Sequence, residues 1–190
     1  MKYSSERLLF REFKENDFSL FYSLFSDEQV MKYALMDRYD NEEKALFDFK
    51  RILKNNYAAI KRKAYEFAIF SATNNCFIGY GDIEIQMMNE MGGCGEIGYF
   101  IMPEHWGNGY ATEIANSLIK FGFKYIKLHR ITASCNSNNL KSENVMKKVG
   151  MQKEGEFRKV RYKSGMWCDE QHYSILSEEC EEDNTVKMLS

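Results

Sequence analysis

Hydrophobic and polar positions recur along this chain with two periods, and the switches between them mark out its elements. Leu8 and Phe10, interleaved with Arg7 and Arg11, predict a first strand near Arg7 to Phe13; Asn16 or Asp17 then caps an apolar-rich helix through Phe25. Between Asn41 and Ile60, residues Ala45, Leu46, Phe49, Ile52, Leu53, Tyr57 and Ile60 return at three- and four-residue steps, the stripe of a long helix. The period then drops to two. Tyr65, Phe67 and Ile69 alternate with Glu66, Ala68 and Phe70, Asn74-Asn75 turns the chain into a strand from Cys76 to Met87, and Gly92-Gly93 marks the next turn. Glu96 to Met102 is strongly apolar and stops at Pro103, the single proline. A helix carrying Ala111, Ile114, Ala115, Leu118, Gly122, Tyr125 and Ile126 on one stripe follows, then a strand from His129 to Cys135. The polar loop Asn136-Ser137-Asn138-Asn139 leads into a short helix, Leu140 to Val149, closed by Gly150. Two final strands, Gln152 to Tyr162 and Trp167 to Leu176, are joined at Ser164-Gly165.

Between the proline-stopped strand and the next helix lies Trp106-Gly107-Asn108-Gly109-Tyr110-Ala111-Thr112-Glu113. Amides in a helix's first turn have no intrahelical partner and sit at the positive end of the macrodipole, so such a start holds an anion by backbone alone. Gly107 and Gly109 let that backbone approach a ligand closely. No lysine follows the second glycine as in a Walker loop, and the Gly-x-Gly-x-x-Gly spacing of a dinucleotide fold is missing.

Composition narrows the classes. The 190 residues are 44% hydrophobic and 15% aromatic, enough for one domain with a substantial core, and the expected division is a domain over 1–177 with an acidic, frayed tail over 178–190. Basic and acidic residues nearly balance, 26 against 28, which gives no general electrostatic case for nucleic acid. Five scattered cysteines without a Cys-x-x-Cys pair indicate neither a disulfide framework nor a zinc ribbon and fit a reducing cytosol. His105, His129 and His172 make no metal-like pair, so no metal is expected. The sequence offers no secretory leader and no apolar run of the roughly 20 residues that cross a bilayer, so the expected location is cytoplasmic, away from membranes.

The glycine loop, taken with Asn139-x-x-Ser142-x-x-Val145-Met146-x-Lys148-x-Gly150-Met151, resembles the GNAT family of acetyl-CoA-dependent N-acetyltransferases. Glu6-Arg7-Leu8-x-x-Arg11 with Asp17, and Glu154-Gly155-x-x-Arg158 with Asp169 and Tyr173, look like the flanks of its branch of ribosomal-protein N-terminal acetyltransferases, the RimJ/RimL-like enzymes; the likeness covers residues 6 to 179. The implied fold is α+β in three layers: a mixed central sheet of about seven strands with helices on both faces and two splayed parallel central strands.

The resemblance also implies a site. Coenzyme A would lie between Glu96 to Met102 and His129 to Cys135, against Phe100, Ile101 and Met102, with its pyrophosphate on the amides from Gly107 through Asn108, Gly109, Tyr110 and Ala111 to Thr112. A backbone N–H between Phe100 and Met102 would serve the acetyl oxygen. Asn139 would hydrogen-bond the pantetheine, although an Asn at that position is equally well placed as a plain helix cap. Ser142 would serve the departing thiolate, because Met146 stands where relatives in other branches place a tyrosine. An amine attacks only when unprotonated, and Glu96, on the cofactor strand, is the candidate base; its plain alternative is a strand-edge carboxylate. Glu84 and Asp82 alternate with Ile83 and Ile85 on a solvated or cleft-facing strand face, and Tyr33, Tyr173 and Trp167 are candidates for the acceptor pocket beside the early helices. The acceptor is an amine, on a peptide N-terminus or a small molecule. A catalytically silent acyl-CoA-binding module is the competing class, and the oligomeric state, a homodimer included, stays open.

Overall fold

The structure, a computed structural model, describes residues 1–57, 62–180 and 186–189. Its strands are β1 Lys2–Ser4, β2 Leu8–Glu12, β3 Ala64–Ser71, β4 Phe77–Asn89, β5 Gly92–Ile101, β6 Leu128–Asn136, β7 Gln152–Lys163, β8 Met166–Leu176 and β9 Lys187–Met188. Its helices are α1 Phe18–Ser26, α2 Glu28–Met31, α3 Glu42–Asn56, α4 Tyr110–Phe121 and α5 Leu140–Lys148. The strands form one nine-stranded sheet in the order β7-β8-β6-β5-β4-β3-β2-β1-β9, two more than the expected seven. The additions are the short end strands β1 and β9. Val186 is 3% exposed and carries Lys187–Met188 onto β1, so this part of the expected tail is packed rather than frayed. Residues 181–185, which hold the rest of the acidic run, and Ile60 of the long stripe lie outside the described residues.

Two apolar cores follow from the pleat. Ile97 and Ile101 of β5 turn to one face, where Ile114, Leu118 and Phe121 of α4 and Met146 of α5 cover them. Phe100 and Met102 turn to the other face, against Phe21, Phe25, Phe49 and Ile52 of α1 and α3. β3 is buried on both faces, so the period-two pattern there separates two cores rather than core from solvent. Asp17 precedes α1 but accepts no capping hydrogen bond from it; its carboxylate instead accepts from Arg11 Nη1 and Nη2, at 2.6 and 2.9 Å, and from the Lys14 amide at 2.7 Å. Burial alone would raise that carboxyl, but the Arg11 and Lys14 hydrogen bonds outweigh it and hold Asp17 below the usual range. No described helix is long and apolar enough to cross a membrane.

The fold makes its cleft by interrupting one pairing. β5 and β6 run parallel from Gly93↔Leu128 to Glu96↔Thr132 and no further. Beyond that point Ile97 to Ile101 pair with β4 alone, and Ala133 to Asn136 with β8 alone. The unpaired reach from Glu96 to Met102 is about 20 Å at roughly 3.3 Å per residue, room for an extended chain between the two edges.

Candidate active site

β5 ends at the glycine loop. Gly107 and Gly109 take φ of +80° and +78°, a region in which an L side chain is strained, and a Cβ on Gly107 would meet nothing within 4 Å, so the space above the loop is open. The first helical bond runs from the Glu113 amide to the Gly109 carbonyl at 3.2 Å. The amides of Gly107, Asn108, Gly109, Tyr110, Ala111 and Thr112 have no acceptor among the described residues. Glu113 anchors the loop from below: its carboxylate accepts the Arg7 Nε at 2.7 Å, the Arg7 amide at 2.8 Å and the Ser5 hydroxyl at 2.7 Å, while Arg7 also donates to the Asn108 carbonyl at 3.0 Å. This is a preorganised cradle of N–H groups with open space above it, and it fits a pyrophosphate.

The residues expected between loop and cleft divide by face. The Met102 amide donates to the Ile78 carbonyl at 3.0 Å and is spent on the β4 side. The Phe100 carbonyl crowds Gly79 of β4, where a Cβ would stand 2.0 Å from it. Strand alternation then turns the backbone groups of Tyr99 and Ile101 to the cleft, and the Ile101 carbonyl there accepts the Trp106 indole N–H at 2.8 Å. Phe100 and Met102 therefore turn their backbones away from the cleft, Ile101 of the three expected residues faces it, and the unexpected Tyr99 joins it. Trp106 opens the loop, and the Lys141 ammonium lies over its ring at 4.9 Å.

On the β6 side, Asn139 is the N-cap of α5, its Oδ1 accepting the Ser142 amide at 3.2 Å. Its Nδ2 has no acceptor among the described residues, so the cap leaves a donor for a ligand. Ser142 Oγ lies 3.0 Å from Tyr99 Oη across the splay. Met146 is 1% exposed in the core and offers nothing to the cleft.

Glu96 occupies the last paired position, and its two oxygens accept from Gln86 Nε2 at 3.0 Å and Ser134 Oγ at 2.9 Å. Ser134 Oγ is 3.3 Å from His172 Nδ1, and His172 Nε2 is 3.5 Å from Glu170 Oε2. The helix-α1 side of the sheet thus carries a row that sequence separation concealed: Glu66 and Asp82 opposite each other on β3 and β4, Glu84 opposite Glu96, then Ser134, His172 and Glu170. Asp82 is half-buried and Glu84 exposed, as a cleft-facing strand face requires. Asp82 lies over Gly98, where a Cβ would come 2.5 Å from its Oδ1; the glycine gives the carboxylate its place. Burial, then Glu66, Glu84 and Glu96, push the Asp82 carboxyl well above its ordinary range. A glycine opposite an acidic residue was the available signal for it.

Tyr173 is 1% exposed and its hydroxyl donates to Glu143 of α5 at 2.9 Å, so it belongs to the core on the far face and not to an acceptor pocket. Trp167 packs against Tyr162 at the exposed β7–β8 tip, the rings tilted by 59° at 5.3 Å, and Tyr33 lies under Lys32. That tip reaches the early helices: Ser164 donates to Asp37, and Lys163 to the carbonyls of Met31 and Lys32. His105 bonds the Phe77 carbonyl at 3.0 Å. Among the described residues no group of three or more His, Cys, Asp or Glu is placed to hold a metal ion.

Residues 7–152 match the acetyltransferase (GNAT) domain. The chain belongs to the GNAT acetyltransferase family. An uncharacterized N-acetyltransferase of Bacillus subtilis, YnaD, is 36% identical over 179 residues, 94% of this chain and 99% of that one. Among solved structures, a GNAT acetyltransferase from Bacillus anthracis superposes with a TM-score of 0.77 at 34% identity, over 94% of this chain and 100% of its own. Spermidine N-acetyltransferase from Vibrio cholerae, in complex with CoA and spermine, shares the fold with a TM-score of 0.78 at 20% identity, over 90% of this chain and 96% of its own. The GNAT protein described here is thus an acetyltransferase enzyme with the mixed, open sheet of its family, helices on both faces.

Proposed function

We propose that this GNAT enzyme moves the acetyl group of acetyl-CoA directly onto a primary amine, and that the acceptor its site suits best is a small cationic amine. The observation that carries this reading is the unpaired reach of β5, which ends at the open amide cradle in one direction and at the carboxylate row in the other. The cradle of Gly107 to Thr112 would hold the pyrophosphate, the Asn139 Nδ2 and the cleft-side groups of Tyr99 and Ile101 the pantetheine amides. Glu84 and Glu96 would attract and orient a polyamine, with Asp82 beside them as a hydrogen-bonding group, whereas Glu170 is already paired with Arg161. A spermidine-acetylating relative of the same fold is in keeping with that choice.

In the transfer the amine nitrogen bonds to the acetyl carbon, the carbon–sulfur bond breaks, and the electron pair leaves on sulfur. Glu96 takes the proton the amine must lose, and Ser134 with His172 provides an exit from Glu96 toward solvent. A cleft-facing amide of Tyr99 or Ile101 steadies the carbonyl oxygen as charge develops on it. The likeness to the ribosomal-protein branch, carried by Arg11 with Asp17 and by the closing hairpin, makes a peptide N-terminus the other acceptor to test.

The experiment is thiol release from acetyl-CoA against a panel of spermidine, aminoglycosides and short peptides with free N-termini, with products read by mass spectrometry. Turnover of polyamines above peptides is the expected result. Turnover of peptides alone overturns the acceptor assignment, and CoA binding without turnover on any amine favours the silent binding module.

A further inference from the structure

Tyr99 and Ser142 approach each other across the cleft from opposite walls. Tyr99 comes from β5, three residues past the last pair Glu96↔Thr132, and so stands level with Cys135 on β6. Ser142 comes from the first turn of α5. Their oxygens are 3.0 Å apart, both side chains are half-buried, and the pair spans the gap that the splay opens. A core tyrosine needs only some partner for its hydroxyl. This one takes the hydroxyl that the thiolate would use.

We infer that Tyr99 is a positioning residue for the leaving group: its hydroxyl donates to Ser142 Oγ, which turns the Ser142 proton toward the sulfur of the departing thiol. The inference rests on the acetyl-transfer reading given above. A hydroxyl has one proton and two lone pairs, so a pair of hydroxyls can be wired in either direction. The helix end chooses the direction. Burial pushes Tyr99 up to about 12, so like the serine it keeps its proton throughout the working range and has one to give. Ser142 sits at the positive end of α5, with its amide held by Asn139, where charge gathering on a neighbouring sulfur is favoured. As the carbon–sulfur bond breaks, the electron pair passes to sulfur, Ser142 supplies the hydrogen bond or proton, and Tyr99 makes good the charge on Ser142. The absence of a tyrosine on α5, where Met146 is buried, is thereby answered from the opposite strand.

The test is single-turnover acetyl transfer by Tyr99→Phe, Ser142→Ala and the double variant, with CoA affinity measured by calorimetry. Ser142→Ala is expected to lose about a hundredfold in rate. Tyr99→Phe, missing one hydrogen bond to a group that gathers charge, is expected to lose about tenfold. The double variant should be no slower than Ser142→Ala, with CoA affinity and the KM for acetyl-CoA unchanged throughout. A structural tyrosine would instead loosen α5 and weaken CoA binding through Asn139, which overturns the inference. Tyr99→Phe as slow as the double variant, with Ser142→Ala faster, means the opposite wiring and also overturns it. Wild-type rates for Tyr99→Phe sink this inference alone, whereas a wild-type protein that neither binds CoA nor acetylates sinks the acetyl-transfer reading beneath it.

Discussion

The amide cradle and the carboxylate row lie at two ends of the same free edge of β5, and they are built in opposite ways. The cradle is backbone: six consecutive residues, Gly107 to Thr112, present their N–H groups because two glycines and a helix start leave them without acceptors. The row is side chain: Asp82, Glu84, Glu96, Ser134, His172 and Glu170 come from β4, β5, β6 and β8 and meet only through strand register. A local site survives many side-chain changes and fails when a Cβ intrudes. A register-built site tolerates backbone change poorly and is tuned by each carboxylate.

The sharpest break in that contrast comes from the row. Glu96→Gln should lower kcat by about a hundredfold or more while CoA affinity holds, because the base is lost and the cradle is untouched. Steady-state rates over pH 6 to 9, beside calorimetry with CoA, read both halves at once; a near-wild-type kcat would return Glu96 to an edge carboxylate. Next in size, Gly107→Val forces a branched side chain onto a φ of +80° and into the open space above the loop. CoA affinity should fall about tenfold or more, on the order of the cost of left-handed backbone, with the amine KM unmoved.

Asp82→Asn separates stability from function within the row. Its carboxyl is raised by burial and then by Glu66, Glu84 and Glu96, so the folded state holds the proton more tightly than the unfolded one. Folding stability therefore falls as pH rises from about 4 toward the folded value, and the neutral Asn removes that loss. The melting temperature at pH 7.5 should rise, on the order of 2 °C, and the gain should vanish near pH 4. The KM for a polyamine should rise about fivefold at pH above the folded value, where the wild-type carboxylate is ionised, and stay unchanged below it. A drop in melting temperature would mean that the Asp82 charge is net stabilising. The smallest effect is Asn139→Asp, which keeps the cap of α5 and removes Nδ2 as a donor: the melting temperature should stay within about 1 °C, and the KM for acetyl-CoA should rise about threefold. Parallel losses in both would reduce Asn139 to a cap.

Legibility tracked locality. The strand and helix boundaries from Leu8 to Leu176 lie within a few residues of those expected, since each rests on its own periodicity, cap or glycine. The start of β5 at Gly92 escaped because Gly93 and Gly95 break the apolar pattern, yet glycine is what the crowding by Met87 and Leu128 demands there. Asn139 and Ser142 sit on a three-residue spacing and were legible as a unit. Tyr99 was not. Its partner is 43 residues away, and a tyrosine between apolar neighbours reads as core until the hydroxyl is seen to end on Ser142. Tyr173 and Trp167 mislead in the converse way, being aromatic residues near the right loops but on the far face or the hairpin tip.

By itself the sequence determined the parts that a few neighbouring residues decide: the order of strands and helices, the glycine-spaced helix start with its open amides, the cap of α5, and through their combination the family. Tertiary structure alone decided what depends on register and face. It ended the β5–β6 pairing at Glu96, turned Tyr99 rather than Phe100 toward the cleft, raised the Asp82 carboxyl by burying it and setting it among Glu66, Glu84 and Glu96, and brought Lys187–Met188 back onto β1. A shift of one residue in any strand would move each of those side chains to the other face, and no local pattern along the chain records which shift the sheet adopts.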